Sequence, residues 1–272
     1  MLSEHAGGWR TLSTRNAFLI HLALSLLIFM TLVAVMVTLW FPGELFFLDG
    51  GWEGLKLVAL VDLVLGPALT LCLYKPAKKG LLMDMSFIAA FQVAALAYGF
   101  VTTFEQRTAA VVFAESRFNT LSNVALIEAN ENLAERKIKT QSVTAIDSRK
   151  PAILVTPEGE SAQQFQDLLN GFPQLHERSD KFIIAKDNSD YLRDLAVSEA
   201  ALEAEDKKGL VKKALAKQSK SADIDVHRFT ARYGSGFALF DHNSGRIVDY
   251  IEITAETKSP KASATDVAES VE

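Results

Sequence analysis

Three long apolar runs open the chain, and a charge-rich pattern of short apolar segments follows them. The first run covers about residues 17–40, more than the roughly 20 residues an α-helix needs to cross a membrane core of about 30 Å. A cleaved signal peptide is the competing reading. Its apolar region would be shorter and would end at a small-x-small site. This run instead ends in Leu39-Trp40-Phe41-Pro42, an interfacial aromatic belt followed by a helix breaker, which predicts an uncleaved helix. The second and third runs cover about residues 55–74 and 81–104. The pattern therefore predicts a membrane domain over 1–104, a folded domain over 105–253 and a disordered tail over 254–272.

Beyond Phe104 the elements are shorter. Thr108-Ala-Ala-Val-Val-Phe113 and Pro151-Ala-Ile-Leu-Val-Thr156 read as strands. Ser161 to Gly171 reads as a helix with Ser161 as N-cap and Gly171 as its stop. Ser189 to Gln218 reads as one long helix, with a charged linker over 203–220 as its rival. His227 to Gly234, Gly236 to Phe240 and Ile247 to Ile253 alternate, and Asn243-Ser-Gly between the last two marks a hairpin. The fold class is α+β: a three-helix transmembrane bundle, then a mixed α/β domain with a C-terminal antiparallel hairpin.

Charge adds orientation. Arg10 and Arg15 precede the first run, and Lys75, Lys78 and Lys79 lie between the second and third. Glu44, Asp49 and Glu53 lie between the first and second. The positive-inside rule then places the N-terminus and the lysine loop in the cytoplasm of a bacterial inner-membrane protein, and the folded domain in the periplasm. The net charge of -5 argues against nucleic acid, which needs a basic face. The single cysteine, Cys72, excludes an internal disulfide. The five histidines show no metal-ligand spacing.

A few polar residues interrupt the apolar runs. A carboxylate within a membrane costs about 2.5–3.5 kcal/mol on insertion scales, so Asp62 is expected to face other helices. Its depth matches that of Gln92 on the next helix. An Asp62–Gln92 hydrogen bond is expected, with Thr31 as a third member. Asp84, at the cytoplasmic start of the third helix, suits the helix dipole and can pair with Lys78 or Lys79. Ala95 and Gly99, with Ser86, Ala90 and Ala94, give that helix a smooth face for close packing, within the bundle or against a partner. Asp241, His242 and Ser244 carry the residue types of a catalytic triad, but neighbours in a hairpin turn seldom converge on one atom. No catalytic, cofactor or metal site is expected.

Several stretches together resemble one family. They are Pro42, Asp62-Leu-Val-Leu-Gly66-Pro67-Ala-Leu-Thr70, Lys75-Pro76-Ala-Lys78-Lys79-Gly-Leu-Leu-Met-Asp84, Ala94-Ala-Leu-Ala-Tyr-Gly99 and Phe113-Ala-Glu-Ser-Arg117-Phe118. In this order they resemble type IV pilin accessory proteins of the TfpX/TfpZ-like kind. The resemblance covers the membrane half well and the rest loosely. It departs at the C-terminal end, where a polar tail follows Ile251-Glu-Ile-Thr254 in place of an Asp-Pro-Trp-like terminus. It implies a non-enzymatic inner-membrane helper whose partners are the major pilin, the pilus assembly machinery and the bilayer. A membrane-anchored sensor or ligand-binding protein is the alternative, although few residues precede the first helix to serve as a cytoplasmic output. A membrane-embedded enzyme comes third.

Overall fold

The structure, a computed structural model, describes residues 12–76, 78–206, 209–219 and 221–253. The expected disordered tail lies outside the described residues. Among the described residues, three helices are long and apolar enough to cross a membrane: Thr14–Trp40, Gly51–Leu73 and Leu81–Glu105, with mean hydropathies of 2.7, 2.0 and 1.7. Leu27, Phe87 and Val93 are among many large apolar side chains left exposed on them. Water would penalise such a surface and a bilayer would not, so the bundle is membrane-associated.

Local chemistry sets the helix ends. The Ser13 hydroxyl accepts the Asn16 N–H at the start of the first helix. Gly50 and Gly80, at φ +100° and +85°, turn the chain into the second and third. The second helix widens to π-type turns over Leu60–Leu65, just before Gly66 and Pro67. Pro67 has no N–H to donate, and its ring crowds the preceding turn, so the wider turns relieve it. Between the first two helices, Leu32, Met36, Trp40, Phe41, Leu55 and Val58 form an apolar cluster that Phe46 caps. Trp40 also meets Phe100 and Phe104 of the third helix edge-on, at ring distances of 5.0 and 5.5 Å.

Residues 108–252 carry a curled seven-stranded sheet. Its strands are β1 (Thr108–Ala114), β2 (Arg117–Ser122), β3 (Ala152–Val155), β4 (Ile183–Ile184), β5 (Ile224–Thr230), β6 (Ser235–Asp241) and β7 (Arg246–Glu252). Their order is β4-β3-β1-β2-β5-β6-β7. The β1–β3 and β2–β5 pairs are parallel and the others antiparallel. Val111 and Phe113 of β1 join one core, with Phe118, Phe229 and Phe240. Ala110 and Val112 join a second core on the other face, with Leu154 and Phe182. Burial on both faces explains why β1 reads as an unbroken apolar run.

Two sequence expectations are corrected here. The stretch from Ser189 to Gln218 is not one helix but three, Ser189–Asp194, Glu199–Glu205 and Leu210–Lys217. The chain leaves the first of these where the Val197 N–H donates to the Val226 carbonyl of β5, at 2.8 Å. The Ser198 hydroxyl then caps the second helix. The Asp206 carboxylate accepts the Leu210 and Val211 N–H groups at the start of the third, at 2.7 and 2.8 Å. The N-cap of the Ser161–Leu169 helix is Glu160 rather than Ser161, while Gly171 at φ +72° ends it as expected. Strand β2 and the helix Asn123–Glu135 were not anticipated. Glu115 and Ser116 make the tight β1–β2 turn with φ of 55° and 57°, values that Asn and Gly usually supply.

Candidate functional site

The segment between the first two helices carries more than orientation charge. Its short helix Leu45–Leu48 pushes Leu45 and Leu48 into the sheet core beside Phe113, Phe118 and Phe229. Asp49 follows, buried at 2% exposure. Its carboxylate accepts hydrogen bonds from the Thr108 hydroxyl, from the Thr120 hydroxyl at 2.8 Å and from the Arg232 N–H at 3.4 Å. The Tyr233 N–H donates to the Leu48 carbonyl at 2.9 Å. A Cβ on Gly50 would meet the Tyr233 ring at 2.8 Å, so only glycine fits there. Residues assigned by sequence to the membrane domain are thus built into the sheet domain, and the two halves are fastened together. The clue in the sequence was Leu45-Phe-Phe-Leu48, an apolar quartet inside a short polar loop.

Within the bundle, the first and third helices both pack chiefly on the second. A groove of about 400 Å³ remains between them. Its walls are Ala17, Ile20, Leu24 and Ile28 on one side and Met85, Ala89, Val93 and Leu96 on the other. Its polar groups are His21, Ser25, Asp62, Thr70, Tyr74 and Gln92. His21 Nδ1 lies 2.6 Å from Thr70 Oγ1. Asp62 is 4% exposed, and its Oδ2 has no hydrogen-bond partner among the described residues.

The expected Asp62–Gln92 hydrogen bond does not form. The Gln92 amide instead packs on Gly66, one turn further along the second helix. A Cβ at Gly66 would sit 1.8 Å from Gln92 Nε2. Thr31 is not a third member either, because its hydroxyl donates to the Leu27 carbonyl of its own helix at 2.9 Å. Matching depth along two helices was a sound guide to proximity, but the π-type turns around Asp62 alter which way each side chain points. Pro67 is buried beside Gly66.

The other candidates separate into several places. Lys78 Nζ donates to Asp84 Oδ2 at 2.5 Å, at the N-terminal turn of the third helix. Lys75, Pro76 and Lys79 are exposed in the same loop. Gly99 is buried against Val58, with 3.3 Å left for a Cβ, and Ala95 lines the same seam between the second and third helices. Ser86, Ala90 and Ala94 are exposed on another face. Arg117 is exposed at the start of β2, in register with Arg228 of β5. Asp241 accepts the Asn243 and Ser244 backbone N–H groups, while His242 Nε2 pairs with Asp225 Oδ2 at 2.6 Å. The would-be triad therefore does not assemble.

Two histidines of the sheet domain were passed over by sequence reasoning. His227 of β5 is fully buried among Phe113, Phe118 and Phe240. Burial pushes its pKa down to about 4, against a weaker upward pull from Asp225. His176, also lowered chiefly by burial, lines a polar cleft of about 330 Å³ with Asp49, Asn119, Gln174, Glu177 and Arg232. Among the described residues no cluster of His, Cys, Asp and Glu is placed to hold a metal ion. Comparison with protein families, curated proteins and solved structures finds no match to this chain.

Proposed function

We propose that this protein is an inner-membrane accessory protein of type IV pili, a pilin-specific chaperone or assembly factor that stabilises the major pilin and promotes pilus assembly. In this reading the N-terminus and the Lys75–Lys79 loop are cytoplasmic and the sheet domain is periplasmic. The observation that carries it is the junction. Leu45, Leu48 and Asp49 lock the sheet domain onto the segment that joins the first two helices. A pilin before assembly is one apolar membrane helix bearing a water-facing head. A helper with a membrane bundle and a folded domain held in fixed relation offers a surface to each part. The partners are then the pilin, the inner-membrane assembly machinery and the bilayer, with no catalytic step and no nucleic acid.

A ligand-binding sensor is the second reading, favoured by the polar cleft around His176 and Arg232. Pilin abundance and surface piliation in a strain lacking the gene, complemented by the wild-type chain, separate the two. The accessory reading expects degraded pilin and lost pili, both restored on complementation. Unchanged pilin and pili would sink it and leave the sensor.

A further inference from the structure

Asp62 stands midway along the helix Gly51–Leu73, where a bilayer would hold no water. A polar group at such depth is tolerated when another group bonds it. Some of the polar groups around the groove are bonded within the chain. His21 and Thr70 bond each other, and Thr31 bonds its own helix. Ser25 and Gln92 have no such bond, but among the described groove atoms Asp62 Oδ2 alone is both shut away from solvent and unbonded, on a side chain that is almost wholly buried and borders the groove. Both walls repeat every three to four residues, Ala17, Ile20, Leu24 and Ile28 facing Met85, Ala89, Val93 and Leu96. The groove therefore runs along the helix axes, over about 17 Å measured from Ala17 to Ile28 at the α-helical rise.

We propose that this groove seats a membrane helix of a partner protein, apolar along its length and carrying one side-chain hydrogen-bond donor that reaches Asp62. A lipid acyl chain would fill the groove but has no donor to offer. A helix consumes its own backbone N–H groups, so the donor must come from a side chain such as an amide, hydroxyl or amine. A second copy of this chain is poorly equipped for the part. Its exposed Thr31 hydroxyl, near the middle of the first helix, already donates to a carbonyl of its own helix. Its exposed Ser86, Tyr98 and Thr102 lie toward the ends of the third helix, away from the depth of Asp62. The site goes beyond the accessory reading and would serve any client whose helix carries such a donor.

The test uses the full chain in phosphatidylcholine vesicles, with an energy-transfer acceptor on the exposed Cys72. Two donor-labelled Leu/Ala membrane peptides, one with Asn at its midpoint and one with Leu there, serve as probes. The Asn peptide is expected to associate roughly five- to thirtyfold more tightly, the usual range for one interhelical hydrogen bond. Asp62→Leu should abolish that preference, and protease protection of the sheet domain checks that it folds. Ala89→Trp, which leaves Asp62 in place and fills the groove, should weaken both peptides. Equal binding of the two peptides, no binding of either, or a preference that survives Asp62→Leu would overturn the proposal. So would transfer between copies of the chain itself that is lost in Asp62→Leu, since a second copy would then occupy the groove.

Discussion

Acidification should loosen the sheet domain through His227, and the size of the effect follows from its surroundings. The imidazole has Phe113, Phe118 and Phe240 around it at ring distances of 5.2, 5.4 and 6.4 Å. Neither ring nitrogen has a partner of normal hydrogen-bond geometry among the described residues. A proton added there would be a buried charge with no counter-charge in contact, which is why the pKa falls to about 4 from an ordinary value near 6.5. Because folding lowers this pKa, the unfolded chain takes up the proton first. Stability is full above about pH 6.5, declines as pH falls, and the loss is complete near pH 4. Over the whole window the linkage is worth about 3 kcal/mol. Between pH 7 and pH 5 it comes to about 2 kcal/mol, or roughly a twentyfold change in the unfolded fraction.

Hydrogen exchange on the detergent-solubilised chain, corrected for intrinsic rates, reads this directly in β5 and β6. His176 shifts in the same direction and adds to the wild-type slope. The decisive quantity is therefore the difference between wild type and His227→Leu, a neutral side chain of similar bulk. The variant should lose most of the fall in protection between pH 7 and pH 5. A variant as pH-sensitive as the wild type, or a wild type with no such fall, would refute the reasoning.

Three further expectations concern stability. Asp49→Ala strands the buried Thr108 hydroxyl and the half-buried Thr120 hydroxyl, and should cost about 2–4 kcal/mol and open the 41–50 segment to limited proteolysis. Gly236→Ala places a Cβ 2.0 Å from the Ile251 carbonyl oxygen and 2.8 Å from the Ile253 nitrogen, both backbone atoms that cannot step aside. It should cost about 3 kcal/mol and strip exchange protection from β7. Arg178 pairs with Asp180 at 2.9 Å and Asp167 at 3.1 Å and lies over the Phe172 ring. Arg178→Ala should cost about 3 kcal/mol by urea unfolding and move the Asp167 carboxyl, held low by Gln163 and by Arg178, upward in an NMR titration.

What could be read in the sequence follows how local the determining physics is. The three apolar helices were legible because burial in lipid selects long runs, and a long run is visible without knowing its neighbours. The last hairpin was legible because Asn243, Ser244 and Gly245 carry the turn in their own backbone preferences, with Gly245 at φ +64°. Strand β2 was hidden because its turn uses Glu115 and Ser116, held in place by the Glu158 carboxylate that accepts the Ser116 N–H at 2.9 Å. That partner lies far along the chain. The break in the Ser189–Gln218 stretch was hidden for the same reason, since the Val226 carbonyl of β5 competes for the Val197 N–H. At the candidate site, the prominence of Asp62 was plain from its residue type, but its neighbours depended on the π-type turns before Pro67.

Asp49 and Asp62 show how surroundings, rather than residue type, divide structural from available chemistry. Both carboxylates are almost wholly buried, at 2% and 4% exposure. Asp49 gathers two hydroxyls and a backbone N–H from three segments of the sheet domain, so its charge is spent on holding the junction. Nothing remains for a partner to take. Asp62 has equally little water and keeps an oxygen unbonded beside an open groove. The cost of leaving that oxygen unbonded falls when a donor arrives. A partner helix with one polar side chain would therefore be held in one register, because only one register brings the donor to the depth of Asp62.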